Sequence, residues 1–160
     1  ARQVLARLGA LGALRGDFGE LYSLGRKLGS GSSGAVFSLG ERGIEPSGGP
    51  GVVGKMYKDA QASRGADMPE DLRQELEMLV RVQGHRNVSR LVGLFGAAGD
   101  AREGAAHWVL VMRRYRGGDL FDAVVKAPFA EFRARHAFAG LCAALAHVHG
   151  RQVLHRDVKP

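Results

Sequence analysis

The order of segments predicts an α+β fold. Three short runs rich in β-branched and aromatic residues come first, and an amphipathic helical segment follows. Two more strand-like runs come next, and helical periodicity then dominates. Strands gathered ahead of helices argue against alternating βαβ units and a parallel, doubly wound sheet.

Residues 21–27 and 35–39 flank a glycine-serine segment and read as two strands joined by a tight loop. Residues 43–51 (GIEPSGGPG) are a turn or exposed loop, because glycine and proline punctuate structure. Residues 52–57 form a third strand. Over residues 69–82, Leu72, Leu76, Leu79 and Val82 recur at three- and four-residue steps, an amphipathic helix. Residues 88–95 and 108–112 are two further strands, separated by the polar stretch 96–106. After Gly117-Gly118 a short helix is expected over residues 119–126 and a long one from about 131 to 149. Residues 1–15 carry Arg2, Arg7 and Arg15, no acid, and Val4, Leu5, Leu8 and Leu11 at helical spacing. That pattern has something of a transit peptide, but an amphipathic helix or linker is the simpler reading. Residues 1–20 are therefore assigned as leader or linker and 21–160 as the domain.

The chain is 160 residues long, 45% hydrophobic and 24% charged, which is ordinary for one globular domain with a core. No apolar run approaches the roughly 20 residues of a membrane span. Cys142 is the only cysteine, so no internal disulfide is possible; a reducing compartment fits, with the cytoplasm as default. The net charge of +7 is spread along the chain without a basic block or interleaved aromatics. Nucleic acid is not expected as a partner.

Gly29, Gly31 and Gly34 form a GxGxxG pattern within residues 28–36 (LGSGSSGAV). Glycines let backbone amides approach phosphate oxygens without obstruction. A dinucleotide-binding fingerprint requires these glycines to open a helix, yet Ala35-Val36-Phe37 continues as a strand. A Walker loop requires Gly-Lys-Ser/Thr, which is absent there. A hairpin lying over phosphates remains, with an ordinary glycine-rich hairpin as the alternative.

Read onward, the chain resembles the protein kinase family. The loop Leu28, Gly29, Ser30, Gly31, Ser32, Ser33, Gly34, Ala35, Val36 is similar to the family's glycine-rich loop, with a trailing valine to pack on adenine. Val52-Val53-Gly54-Lys55 resembles the VAIK strand, and Glu75 on the amphipathic helix resembles the glutamate that pairs with its lysine. Gly84-His85-Arg86-Asn87-Val88 resembles the passage from that helix into the fourth strand. Leu110-Val111-Met112, then Gly117-Gly118-Asp119-Leu120-Phe121, is similar to the last strand, hinge and next helix. Residues 153–160 (VLHRDVKP) resemble the catalytic loop. The local GHRN and GGDLFD text looks most like the calcium/calmodulin-dependent and related groups.

The resemblance implies a five-stranded antiparallel N-lobe with one helix, at about residues 21–116. The first helices of a C-lobe would follow at about 117–160. It implies ATP and magnesium as cofactors and Ser/Thr-containing proteins as substrates. Phosphoryl transfer needs positioning and charge neutralisation more than covalent chemistry. Lys55 would grip the α- and β-phosphates, and Glu75 would hold it. Met112, Arg113 and Tyr115 would form the hinge, and Asp119 would join the nucleotide site. Asp157 would accept the substrate hydroxyl proton, and Lys159 could reach the γ-phosphate; a lysine there resembles serine/threonine kinases. Taken singly, each feature has a plainer meaning. A lysine–glutamate pair is usually a surface ion pair, and an aspartate after arginine usually caps a turn. His155 is read as structural, and His147 and His149 sit on different helix faces, so no metal site is expected.

Several positions depart from the family pattern. Val53 replaces a small alanine, Gly54 weakens its strand, and Arg113 and Arg114 replace acidic and aromatic hinge residues. Asp17-Phe18-Gly19 is read as a chance match to the family's magnesium-binding triplet, since it precedes the glycine loop. The family's magnesium ligands are expected beyond residue 160, so these residues alone are expected to be inactive. The long helix would then leave Phe138, Leu141, Leu145 and Val148 uncovered. The competing reading is a non-catalytic nucleotide-binding or interaction module.

Overall fold

The computed structural model describes residues 9, 17–31, 34–43, 51–58, 68–96, 107–115 and 117–159. Its strands are β1 (Tyr22–Gly31), β2 (Gly34–Glu41), β3 (Val52–Lys58), β4 (Leu91–Phe95) and β5 (His107–Arg113). A one-turn helix α1 (Phe18–Leu21) precedes β1. Helix α2 (Glu70–Val82) lies between β3 and β4, and α3 (Leu120–Lys126) and α4 (Glu131–His149) follow β5. The expected leader helix within residues 1–15 lies outside the described residues, Gly9 excepted.

The strands form a single antiparallel sheet in the order β1-β2-β3-β5-β4, as the α+β reading expects. Strand β5 is flanked on both sides, and its apolar run is buried on both faces. Leu110 belongs to a cluster with Tyr57, Leu72, Leu76, Val80, Leu91 and Leu94 on the α2 side. Val109 and Val111 belong to a second cluster with Phe18, Val52 and Phe95 on the other side. Strict alternation would place Leu91 and Leu94 on opposite faces. An irregularity between Leu91 and Gly93 adds a residue to β4 and brings both under α2.

Helix α2 follows from its sequence. Leu72, Leu76 and Val80 recur every four residues and are buried. Glu70 and Asp71 in the first turn complement the helix dipole. Hydrogen bonds from Arg73 and Gln74 hold the exposed Glu70 carboxyl at about 2.

Strand β4 starts later than expected, at Leu91 rather than residue 88. Val88 N–H donates to His85 O at 3.0 Å, closing a turn. The Gln83 amide then bonds Ser89 O and Leu91 N–H, which holds residues 88 and 89 off the ladder. This turn meets α4, where Asn87 Nδ2 donates to Gly140 O at 3.0 Å and His147 Nε2 lies 2.9 Å from Val82 O. On α4, Val148 is buried, whereas Phe138 is 67% exposed. No helix among the described residues is long and apolar enough to cross a membrane.

Helix α1 lies ahead of the boundary drawn from sequence at residue 21, yet it contributes to the core. Asp17 caps it by accepting Gly19 N–H, and Phe18 packs against the rings of Tyr22 and Phe95, each with centroids 5.7 Å away. Aspartate here starts a helix, and the phenylalanine covers the face of the sheet away from α2. Phe18→Ala should therefore cost about 3 kcal/mol in urea unfolding followed by circular dichroism. A loss below about 0.5 kcal/mol, the range of surface changes, would remove α1 from the core.

Candidate active site

Strands β1 and β2 form the glycine hairpin, closing with Gly31 opposite Gly34. Ser32 and Ser33, at its tip, lie outside the described residues. The glycines have different reasons to be glycine. Gly34 has φ +152°, and a Cβ there would lie 2.0 Å from Met56 O, so the hairpin itself requires it. A Cβ on Gly29 or Gly31 would have no described atom within 4 Å. Packing among the described residues does not demand those two, and their bare backbone leaves room for something else.

The register aligns Gly29, Val36, Lys55 and Leu110 in one row across four strands. Directly paired residues share a face, as do residues two apart on a strand. Val36, Val53 and Met112 therefore lie on the same face as Lys55, because Val53 pairs with Met112. Gly54 points to the opposite face, where Leu39 and Val109 fill the space its side chain would take. The glycine that weakens β3 in sequence is matched by a leucine on β2.

Glu75 interrupts the apolar stripe of α2 on the side facing β3. Its Oε2 accepts from Lys55 Nζ at 2.5 Å, forming the ion pair expected from sequence. With side chains 21% and 32% exposed, the pair is only partly screened by water. Glu77, two residues on, instead meets Arg73 and Arg81 on the outer face.

A third member was missed from sequence. Tyr57 Oη donates to the same Glu75 Oε2 at 2.5 Å, and Lys55 Nζ lies 4.8 Å from the Tyr57 ring centroid. Tyr57 is 1% exposed. Burial, then the bond to Glu75 and the charges of Glu75 and Asp71, push its phenol pKa far above the ordinary value. The signal was present, since an aromatic hydroxyl two residues after Lys55 must share its strand face.

The remaining candidates lie at the strand end and beyond. Leu28 is largely exposed, and Ala35 and Val36 are half-buried. Met112 is half-buried at the end of β5; the amide of Arg113 donates to Arg90 O and that of Arg114 to Gly51 O. Tyr115 is exposed, and Asp119 caps α3 by accepting Asp122 N–H through Oδ1. Asp157 and Lys159 are exposed and pair at 3.0 Å, while His155 Nδ1 accepts Asp157 N–H at 3.4 Å. The structure thus joins Lys55 to Glu75 and Asp157 to Lys159. No hydrogen bond or ion pair among the described residues links the two groups.

The family model for the protein kinase domain matches residues 22–160. The chain belongs to the protein kinase family. Among curated relatives it is similar to calcium-dependent protein kinase 2 of Arabidopsis thaliana, 34% identical over 145 residues, which is 90% of this chain and 21% of that protein. CBL-interacting protein kinase 16 of Oryza sativa subsp. japonica is 36% identical over 139 residues, 87% of this chain and 28% of that protein. Serine/threonine-protein kinase DCLK3 of Mus musculus is 29% identical over 150 residues, 93% of this chain and 17% of that protein. The chain thus spans roughly a sixth to just over a quarter of these kinases' lengths.

The two kinds of glycine in the kinase hairpin should separate by mutation. Gly34→Ala should lower stability by more than about 2 kcal/mol in urea unfolding, whereas Gly29→Ala and Gly31→Ala should each cost less than about 1 kcal/mol. A benign Gly34→Ala would contradict the geometry. Tyr57 carries a pH signature. Below the ordinary phenol pKa of about 10, folded and unfolded chains both hold the proton, and its stabilisation is complete. Above that value the unfolded chain releases the proton first, so stability falls as pH rises. The urea midpoint should decline between about pH 9 and 11 less steeply in Tyr57→Phe than in wild type; equal slopes would refute this.

Proposed function

We propose that this kinase chain serves an ATP-dependent protein serine/threonine kinase, transferring the γ-phosphate to hydroxyls of protein substrates. The observation that carries the reading is Lys55, held by Glu75 in the same cross-strand row as Gly29. A positive charge is fixed under a hairpin whose Gly29 and Gly31 leave open space. Phosphate oxygens fit there, with backbone amides above and the ammonium below. Val36, Val53 and Met112 on the same face, with Leu28 and Ala35 nearby, supply apolar surface for an adenine ring. Ser30, Ser32 and Ser33 add hydroxyls and amides along the loop.

The amides of Arg113 and Arg114 are engaged within the fold, leaving hinge carbonyls and Tyr115 for the adenine edge. Asp119 retains Oδ2 for a ribose hydroxyl. Magnesium accompanies ATP in this family and would neutralise phosphate charge when bound. Among the described residues no three His, Cys, Asp or Glu side chains gather to hold a metal, and no role assigned here runs through one.

Asp157 is assigned as the base. As the substrate oxygen bonds to the γ-phosphorus, its proton passes to the Asp157 carboxylate, and ADP leaves with the electron pair of the broken P–O bond. Lys159, 3.0 Å from Asp157, would add positive charge toward the γ-phosphate. The name of the mouse relative, serine/threonine-protein kinase DCLK3, supports serine and threonine as acceptors, and the plant relatives are named as protein kinases.

The test follows transfer of labelled γ-phosphate to a serine/threonine peptide by the full-length protein. Lys55→Met should lower turnover by about 10²-fold or more. Asp157→Asn should lower it by about 10³-fold while ATP affinity stays near wild type. Equal transfer by wild type and Asp157→Asn would remove Asp157 as the base. ATP binding without transfer by wild type would favour a nucleotide-binding module.

A further inference from the structure

Glu75 Oε2 accepts two hydrogen bonds from β3, and the donors differ in kind. Lys55 brings a flexible four-carbon stem and a charge that, in the function proposed above, is needed by phosphate. Tyr57 brings a rigid ring with two side-chain torsions, locked among Leu72, Leu76, Val80 and Leu110. The ring is 1% exposed, so its hydroxyl cannot turn to water. The hydroxyl is therefore held in place by packing, and the carboxylate it meets is held by the hydroxyl.

We infer that Tyr57 is a positioning residue that anchors Glu75, and with it α2, to β3 independently of Lys55. A lysine that grips phosphate has to share its three N–H donors between that ligand and the carboxylate. A neutral phenol has no competing ligand and stays bonded while the ammonium is engaged. The groups facing the hydroxyl are Glu75 and Asp71 from α2 and Lys55 from β3. Both acids favour the protonated phenol, so the donor persists across the working pH range. Two anchors on one oxygen also fix the direction from which Lys55 approaches. This preorganises the ammonium before nucleotide arrives, which is where fixed charges gain catalytic value.

The inference rests on the phosphate-gripping role proposed for Lys55, and two measurements on the full-length protein separate them. Tyr57→Phe keeps the ring, its volume and its face toward Lys55, and removes only the hydroxyl. In nucleotide-free hydrogen exchange, the amides of α2 should lose protection in Tyr57→Phe while those of β5 keep theirs. In steady-state kinetics, kcat/KM for ATP should fall about tenfold, the scale of one hydrogen bond to a charged group. The same change should be silent in a Glu75→Ala background, where the hydroxyl has nothing to hold. Wild-type protection in α2, or an equal kinetic loss with Glu75 absent, would overturn the inference, since the first leaves Tyr57 as core filling alone and the second is an effect that does not pass through Glu75. If wild type transfers no phosphate, the kinase reading falls, and α2 exchange alone decides whether Tyr57 anchors the helix.

Discussion

The ion pair between Lys55 and Glu75 is the constraint around which this structure is arranged. Lys55 lies on a sheet face that it shares with Val36, Val53, Tyr57, Leu110 and Met112. An ammonium at such a place needs a carboxylate, because a partly buried, unpaired charge is costly. Strand β3 offers no acid on that face. The carboxylate has to come from α2, so the pair decides how α2 lies on the sheet. The apolar residues of the helix supply adhesion, while Glu75 supplies orientation, because the stripe of Leu72, Leu76 and Val80 would tolerate small rotations that the ion pair does not.

That arrangement depends on a sheet firm enough to hold Lys55 still. Strand β5 provides the firmness, with Leu110 buried under α2 and Val109 and Val111 buried on the opposite side. The second face is closed by Phe18, Tyr22 and Phe95, whose rings meet one another at 5.6 to 5.7 Å. A sheet covered on both sides transmits little motion to its strands. Among the described residues the glycine hairpin at the far edge has no such cover, and Leu24 and Leu28 of β1 are exposed. Rigidity under the lysine and freedom in the hairpin are what a site must combine to close over a polyphosphate.

Much of this was legible in the sequence because it rests on periodicity and turn chemistry. The strand-first order, the α2 stripe and the ends of α4 follow from residue spacing, and the pairing of Lys55 with Glu75 from the family resemblance. What escaped depends on tertiary neighbours. Asp17-Phe18-Gly19 gave no local sign that its phenylalanine would pack under the sheet. The late start of β4 depends on Gln83, whose amide competes for backbone groups that a strand would otherwise pair. Gly54 looked like a weakness because Leu39, which fills its space, comes from another strand. Tyr57 looked like one more apolar strand residue, and its hydroxyl acquired meaning only once α2 placed Glu75 above it.

One local device appears twice and shows how the chain separates structure from chemistry. In His85-Arg86-Asn87 and in His155-Arg156-Asp157, the histidine Nδ1 accepts the amide N–H two residues on, at 3.2 and 3.4 Å. Each turn thereby fixes the backbone of its third residue and releases that side chain from capping it. The asparagine is neutral and is used as a joint, donating to Gly140 O to tie the α2–β4 turn to α4. The aspartate is charged and bonds no backbone among the described residues, and its ion pair is with Lys159, two residues away. Arg156, between His155 and Asp157, holds φ +61°, a left-handed conformation that an arginine adopts at a cost. An ionised carboxylate on a fixed, strained turn, beside a single lysine, is poorly placed to stabilise the fold. Its exposure suits the proton-accepting role proposed for Asp157.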